Sequence, residues 1–340
     1  MGSYKGARDL LVGVDVGGTK VAVLVVDGDE QVLSQVIKPT VLDDNEGTLA
    51  GIVAAIRHGL DAAGAQISEV AAIGMGVPGR VDVSTGVVRN AVNLGWHELP
   101  VGEYISAVLG VPCLLENDVR SAAMGAQRYL GRAAPRNMAY VSVGTGIAAG
   151  LVLDGKLYRG AHGMAGEIGH MVIEPDGPRC ACGAYGCLEV FAAGPAIARL
   201  GEEAARGPEE TLLRGYSRIT TEAVYEAARA GDRAAQAVTR RVGRYLALAV
   251  QHMVMAYDVE CIVFGGGVSH AGDAFLQPIL HEIERLRQDS ALAHEMLQPD
   301  MIRLLPPDYD AGTWGAVVLA GRGQASVRRA AGRPRTQPRG

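Results

Sequence analysis

Cysteine is scarce in this chain: five residues in 340, of which Cys180, Cys182 and Cys187 sit together while Cys113 and Cys261 lie far off. So few and so clustered, they exclude a secreted disulfide scaffold and fit a reducing, cytoplasmic compartment. An excess of positive charge is also missing, with 32 Lys and Arg against 37 Asp and Glu and a net charge of −5. That balance argues against a nucleic-acid backbone or an anionic membrane as the main partner and favours small soluble ones. Long hydrophobic runs are absent too. The apolar stretch Tyr245 to Tyr257 is shorter than the roughly 20 residues needed to cross a bilayer and carries Gln251 and His252, so no membrane span is expected. The strand-like LLVGVDV begins within ten positions of Met1, which leaves no room for a signal peptide in the expectation drawn from the sequence.

What the chain does have is core material: 48% hydrophobic and only 20% charged residues over a length that suggests two domains. It opens as three β-rich runs broken at Gly17-Gly18 and at Asp27-Gly28, followed by a helical stretch from Glu46 to Ala63 with Ile52, Ile56 and Leu60 on one face. A further short strand ends in a Gly/Pro loop at Gly79. The arrangement returns about 130 residues later, where NMAYVSVG runs into Thr145-Gly146 and an Asp154-Gly155 turn joins the next two runs. A repeat of that length predicts two similar lobes with a cleft between them. Beyond Ala192 the pattern is mostly helical, with a long run from Asp232 to Tyr257, the strand CIVFGGG and a last helix near Gly321. The end of the chain holds Arg322, Arg328, Arg329, Arg333, Arg335 and Arg339 with no acid and reads as a disordered, solvated terminus.

Three groups of residues carry chemistry. Asp15, Gly17, Gly18, Thr19 and Lys20 form one glycine turn, and Gly144, Thr145 and Gly146 its counterpart in the second half. Either alone reads as a tight hairpin; recurring at equivalent points of a repeat, they suit a polyphosphate cradled by backbone N–H groups. Gly265, Gly266 and Gly267 follow a strand and precede a helix, a position where a nucleotide can sit, although neither common nucleotide fingerprint is present. His170, Cys180, Cys182 and Cys187, spaced H-x9-C-x-C-x4-C, supply the four ligands of a closed, structural Zn²⁺ site, the alternative being ordinary buried thiols. Glu167 and Glu189 flank it, as part of a polar wall, as a surface carboxylate or as a helix-start charge. Glu116-Asn117-Asp118 ends the strand VPCLL ahead of a helix, which is a place for substrate contacts; Asp118 also reads as a helix N-cap.

Together these residues resemble the ROK family of sugar kinases and related repressors. The resemblance rests on DVGGTK, GVPG, END, GTG, EIGH, CACGAYGCLE and GGG and spans Asp15 to about Gly321. It implies an α/β, two-lobed, actin-like fold (a duplicated RNase H-like unit) that closes on ATP–Mg²⁺ and a sugar, in a homodimer or homotetramer. The small lobe is expected over 10–117 plus about 308–322, the large lobe over 118–307 with a zinc loop at 170–187, and a disordered basic tail over 323–340. By the same resemblance, Asp118 looks like the catalytic base, and Gly79, Asn93, Asn117, Glu167, His170 and Glu189 join it in holding the sugar. His170, Cys180, Cys182 and Cys187 correspond to zinc ligands, and the glycine turns to the phosphate–Mg²⁺ site. The implied reaction is phosphorylation of a hexose primary hydroxyl, glucose foremost, with N-acetylhexosamine, fructose, kanosamine or a C7 cyclitol as other acceptors and polyphosphate as another donor. A sugar-responsive repressor is the alternative of another class; it needs a DNA-binding helix-turn-helix ahead of Asp15, where only fourteen residues stand. After END the chain departs from the family's common A-N-A-A-A: Arg120 and Ser121 are expected to bring charge and a shorter polar reach beside the catalytic pair.

Overall fold

A computed structural model describes residues 9–331, with side chains described through residue 324. Its compact units are two: one built from the start of the chain through Gly131 together with the segment from Asp310 onward, the other from Arg132 to Tyr309.

The first unit begins with β1 (Leu10–Val16), β2 (Lys20–Val26) and β3 (Val32–Pro39), then α1 (Asn45–Ala62) and β4 (Val70–Val77). A small three-stranded sheet of β5 (Arg80–Asp82), β6 (Val87–Ala91) and β7 (Trp96–Leu99) follows, then α2 (Val101–Leu109), β8 (Cys113–Asn117) and α3 (Asp118–Leu130). The main sheet has the order β3-β2-β1-β4-β8; β1, β2 and β3 pair antiparallel, and β1, β4 and β8 pair parallel. The near-continuous apolar runs of β1 and β2 are buried on both faces, as expected of strands covered by helices on both sides. Val12, Val14 and Val16 pack with Ile52 and Ile56 of α1, while Leu11, Leu24 and Val26 pack on the opposite side. α1 starts where Asp44 accepts a hydrogen bond from the Gly47 N–H at 2.7 Å.

The second unit repeats this plan with β9 (Met138–Val143), β10 (Ile147–Leu153) and β11 (Lys156–Tyr158). Four helices follow, α4 (Glu189–Ala192), α5 (Gly194–Arg206), α6 (Thr221–Arg229) and α7 (Arg233–Tyr257), then β12 (Cys261–Gly265), α8 (Asp273–Asp289), α9 (Ala291–Met296) and β13 (Ile302–Leu304). Its sheet order, β11-β10-β9-β12-β13, matches the first sheet strand for strand, antiparallel then parallel. This duplication is the actin-like, RNase H-like arrangement expected from the sequence.

α10 (Ala311–Ala331) returns to the first unit and covers β1, β4 and α3. The approach is backbone on backbone. A Cβ built on Gly13 or Gly74 would run into the carbonyls of Thr313 and Ala316, and one on Gly125 or Gly315 into those of Ala311 and Ser121. Two boundaries therefore differ from the sequence expectation. α3 belongs to the first unit, so the division falls after Gly131 and not after 117, because α3 is locked to α10. The helix also runs on to Ala331, so residues 323–331 of the expected disordered tail are helical, with Gly323 against Leu114; residues 332–340 lie outside the described residues. Among the described residues, no helix is long and apolar enough to cross a membrane.

Gly74→Ala should lower the stability of the first unit by about 2 kcal/mol or more, since the added methyl meets a helix carbonyl that cannot move aside. Urea unfolding followed against wild type checks this, and an unchanged midpoint would contradict the close approach.

Candidate functional site

In the first unit the turn between β1 and β2 is closed by the Gly17 N–H donating to the Lys20 carbonyl at 2.8 Å, leaving Thr19 and Lys20 exposed beside Asp15. It is a tight hairpin as well as a candidate anion cradle, and Thr40 Oγ1 ties it down through the Gly17 carbonyl at 2.7 Å. Asn93, exposed in the turn Val92–Leu94, lies next to it: a Cβ on Gly18 would stand 3.5 Å from that of Asn93. Gly79 follows β4 with φ +84°, left-handed backbone that favours glycine, and any side chain there would strike Asn90. Asn117 joins these pieces. Its Oδ1 accepts from the Arg120 N–H at 3.1 Å, while its Nδ2 donates to the Gly79 carbonyl at 3.1 Å and to Asp118 Oδ1 at 2.8 Å. Asn117, and not Asp118, is thus the N-cap of α3; Asp118 is its first residue, with Oδ1 also accepting from the Val119 N–H at 2.8 Å.

Three carboxylates face one another here. Burial pushes Asp15 up to about 8, the negative charges of Asp310 and Asp118 add to the rise, and Lys20 opposes it. Asp118 is also raised by burial, against hydrogen bonding from Val119 and Asn117 and the charge of Arg120. Asp310 was not singled out in the sequence. Its carboxylate accepts from the N–H groups of Gly312 at 3.1 Å and Thr313 at 3.2 Å at the start of α10, and a Cβ on Gly312 would come within 2.6 Å of the Asp15 carboxylate. The signal was an Asp just ahead of an apolar-periodic helix. Arg120 does bring a positive charge that acts on Asp118, as expected, but its side chain turns inward to a fully buried Glu116, Nε to Oε1 at 2.8 Å. Ser121 is buried as well, its Oγ donating to the Gly312 carbonyl at 3.3 Å.

In the second unit the Gly144–Gly146 turn closes through Gly144 N–H to the Gly146 carbonyl, and the Gly144 carbonyl accepts from the Gly194 N–H at 2.8 Å. That bond brings the N-terminus of α5 to the turn. A cavity of about 500 Å³ opens there, lined by Gly144 and Thr145, by Gly194 and Pro195, by Thr220 and Thr221 ahead of α6, and by Gly267. Two helix N-termini and a glycine turn around one cavity suit an anionic ligand of nucleotide size. Of the three glycines at the end of β12, Gly267 lines the cavity, whereas Gly265, the strand's last residue, makes room for Tyr140. The residues 218–222 that line the other side carried no motif, since they meet the turn only through folding.

His170, Cys180, Cys182 and Cys187 converge, their donor atoms all within 4.8 Å of one another. Cys180 Sγ lies 3.7 Å from His170 Nδ1, and Cys182 Sγ 3.7 Å from Cys187 Sγ. A tetrahedral ion with sulfur ligands at about 2.3 Å needs ligand pairs about 3.7 Å apart, so the donor set fits Zn²⁺. Cys113 and Cys261 stand outside it. Both candidate carboxylates border the start of β10: Glu189 Oε2 accepts from the Ile147 N–H at 3.1 Å, and Glu167, exposed, is two residues before Gly169, which packs on the Ile147 carbonyl.

The raised Asp15 ties stability to pH. A group with a folded pKa above its unfolded value stabilises the protein fully below about pH 4, and that contribution is lost as the pH rises toward about 8. Asp15→Asn should therefore gain on wild type across that window, by about 2–4 °C in Tm for each kcal/mol relieved. Thermal unfolding of both proteins between pH 4 and 8 tests it; a gap that fails to widen would contradict the raised Asp15, which burial causes first and the two neighbouring acids second.

The "ROK family" model matches residues 11–322. A glucokinase from Halalkalibacterium halodurans is 34% identical over 279 residues, covering 80% of this chain and 84% of that protein. A ROK family glucokinase from Streptomyces griseus, solved in complex with glucose and AMPPNP, is 31% identical with a TM-score of 0.77 over 92% of this chain and 100% of that one. A ROK family transcriptional regulator, a homologue of the E. coli MLC protein, is 25% identical with a TM-score of 0.83 over 95% of this chain and 81% of that one. With its family motifs, duplicated fold and near-complete match, the chain belongs to the ROK family.

Proposed function

We propose that the protein is an ATP-dependent sugar kinase that transfers the γ-phosphoryl group to the primary hydroxyl of a hexose, converting glucose to glucose 6-phosphate. The observation that carries this reading is Asp118: a carboxylate with its pKa raised by burial, at the end of a sheet strand, held at Oδ1 by Asn117 and Val119. An alcohol is far less acidic than a carboxylic acid, so Asp118 takes the proton late, as the phosphorus–oxygen bond forms, and orients the hydroxyl until then. A raised pKa makes it a better acceptor. The hydrogen bonds from Asn117 and Val119 both fall on Oδ1 and fix the orientation of the carboxylate.

The sugar-contact candidates are Asn93, Gly79 and Asn117 in the first unit and, by the family resemblance, Glu167, His170 and Glu189 in the second. The Gly144–Gly146 turn and the cavity beside it take ATP. Mg²⁺, when bound with the nucleotide, would offset negative charge on the phosphates, and the crowding of Asp15, Asp310 and Asp118 in the first unit fits a cation. Zn²⁺ would be held by His170, Cys180, Cys182 and Cys187; with four protein ligands it is structural, supporting the loop that carries His170 and leads into Glu189. The S. griseus relative with glucose and AMPPNP supports both substrates. Other hexoses, N-acetylhexosamines among them, are the alternative acceptors, and the protein is read as a cytoplasmic homodimer or homotetramer. The regulator-like reading is separated by the same assay, since a repressor needs no turnover.

Replacing Asp118 with Asn keeps the volume and one acceptor oxygen but removes the base. Glucose-dependent ADP release should fall about 100-fold or more, with glucose binding by calorimetry retained; near-normal turnover would sink the assignment. Cys182→Ser should lose zinc and activity together, because one missing thiolate opens the tetrahedral site. Metal analysis of purified wild type and variant decides it, and an active wild type free of zinc would refute the metal role.

A further inference from the structure

Glu116 and Arg120 form an ion pair four residues apart across the β8–α3 junction, with side-chain exposures of 0% and 3%. Such a pair is a poor source of stability, because removing two charges from water offsets most of their attraction. Its partners suggest a different role. Glu116 Oε1, which accepts from Arg120 Nε at 2.8 Å, also accepts the Asn117 N–H at 2.9 Å. Asn117 accepts the Arg120 N–H and passes its own amide to Asp118 and Gly79. One continuous hydrogen-bonded line thus runs from the Arg120 side chain through Glu116 and Asn117 to the Asp118 carboxylate.

We propose that Arg120 is a positioning residue of the phosphoryl-transfer site, which through Glu116 fixes the junction that aims Asn117 and Asp118. This rests on the kinase reading above. Packing alone does not define the aim of Asp118, because the residue opens the helix, where one turn of backbone has no helical partner of its own. The buried pair supplies that definition. Its positive end also opposes the burial that raises Asp118, while Asp15 on β1, beside Asp310 and Lys20, faces Asp118 from across the site.

The test compares wild type, Arg120→Met and the double variant Glu116→Gln/Arg120→Met, which removes both charges of the pair and keeps the comparison possible if the single variant folds poorly. With turnover counted per folded molecule, kcat should fall about 10- to 100-fold in both variants, with KM for glucose and ATP held within about threefold, as for a misplaced reacting group. The double variant should regain Tm but not kcat. Carbon-13 NMR titration of the Asp118 carboxyl, which needs no substrate, should show its pKa higher in both variants than in wild type. Wild-type kcat in the folded double variant, or an Asp118 titration that does not move, would overturn the proposal. Should wild type itself release no ADP with glucose, the kinase reading fails and the titration alone judges the role of Arg120.

Discussion

Helix α10 can lie on β1, β4 and α3 only because glycine stands at Gly13, Gly74, Gly125 and Gly315, and the site of the first unit depends on that contact. The helix N-terminus carries Asp310 and Gly312 to Asp15, and its flank holds α3, whose first residue is Asp118. A helix spaced out by side chains would leave these carboxylates on separate elements with no fixed relation. Backbone contact makes their spacing a property of the fold.

That spacing has an electrostatic cost. Asp15 is held well above the ordinary carboxylate range by burial and by two like charges, and only Lys20 pulls the other way. Such crowding is a common mark of sites built for charged ligands, because a cation relieves it on binding. Glu116 shows the opposite arrangement a few residues away: its charge is fully buried and met at once by Arg120. One carboxylate is neutralised within the chain, and the others stand ready for what the chain does not contain.

Much of this was legible in the sequence for identifiable reasons. The first three strands and α1 follow from local periodicity, and the expected helix from Glu46 to Ala63 matches Asn45–Ala62 within a residue. The His170–Cys187 cluster could be read because its ligands are close in the chain and of the right type. What escaped was long-range. Asp310 meets Asp15 across almost the whole chain, and residues 218–222 meet the Gly144 turn only after α5 and α6 have packed. The pairing of Arg120 with Glu116 was not legible, because helical spacing places the two one turn apart yet does not say whether that face is wet or buried. The Arg-rich composition that suggested disorder after Gly321 did not reveal that α10 continues to Ala331.

The return of α10 also orders events during synthesis. The second unit is one unbroken stretch, Arg132 to Tyr309, and can fold as soon as it clears the ribosome. The first unit has its sheet early but lacks its covering helix until residues 311–331 are translated, so Leu11, Leu24 and Val26 face an unfilled side in the interval. The nascent chain therefore exposes an apolar sheet surface for the time needed to make about 180 residues, roughly 10–40 seconds at bacterial or eukaryotic elongation rates. Chaperone demand should fall on the sheet of the first unit, whose strands are made well before the helix that covers them.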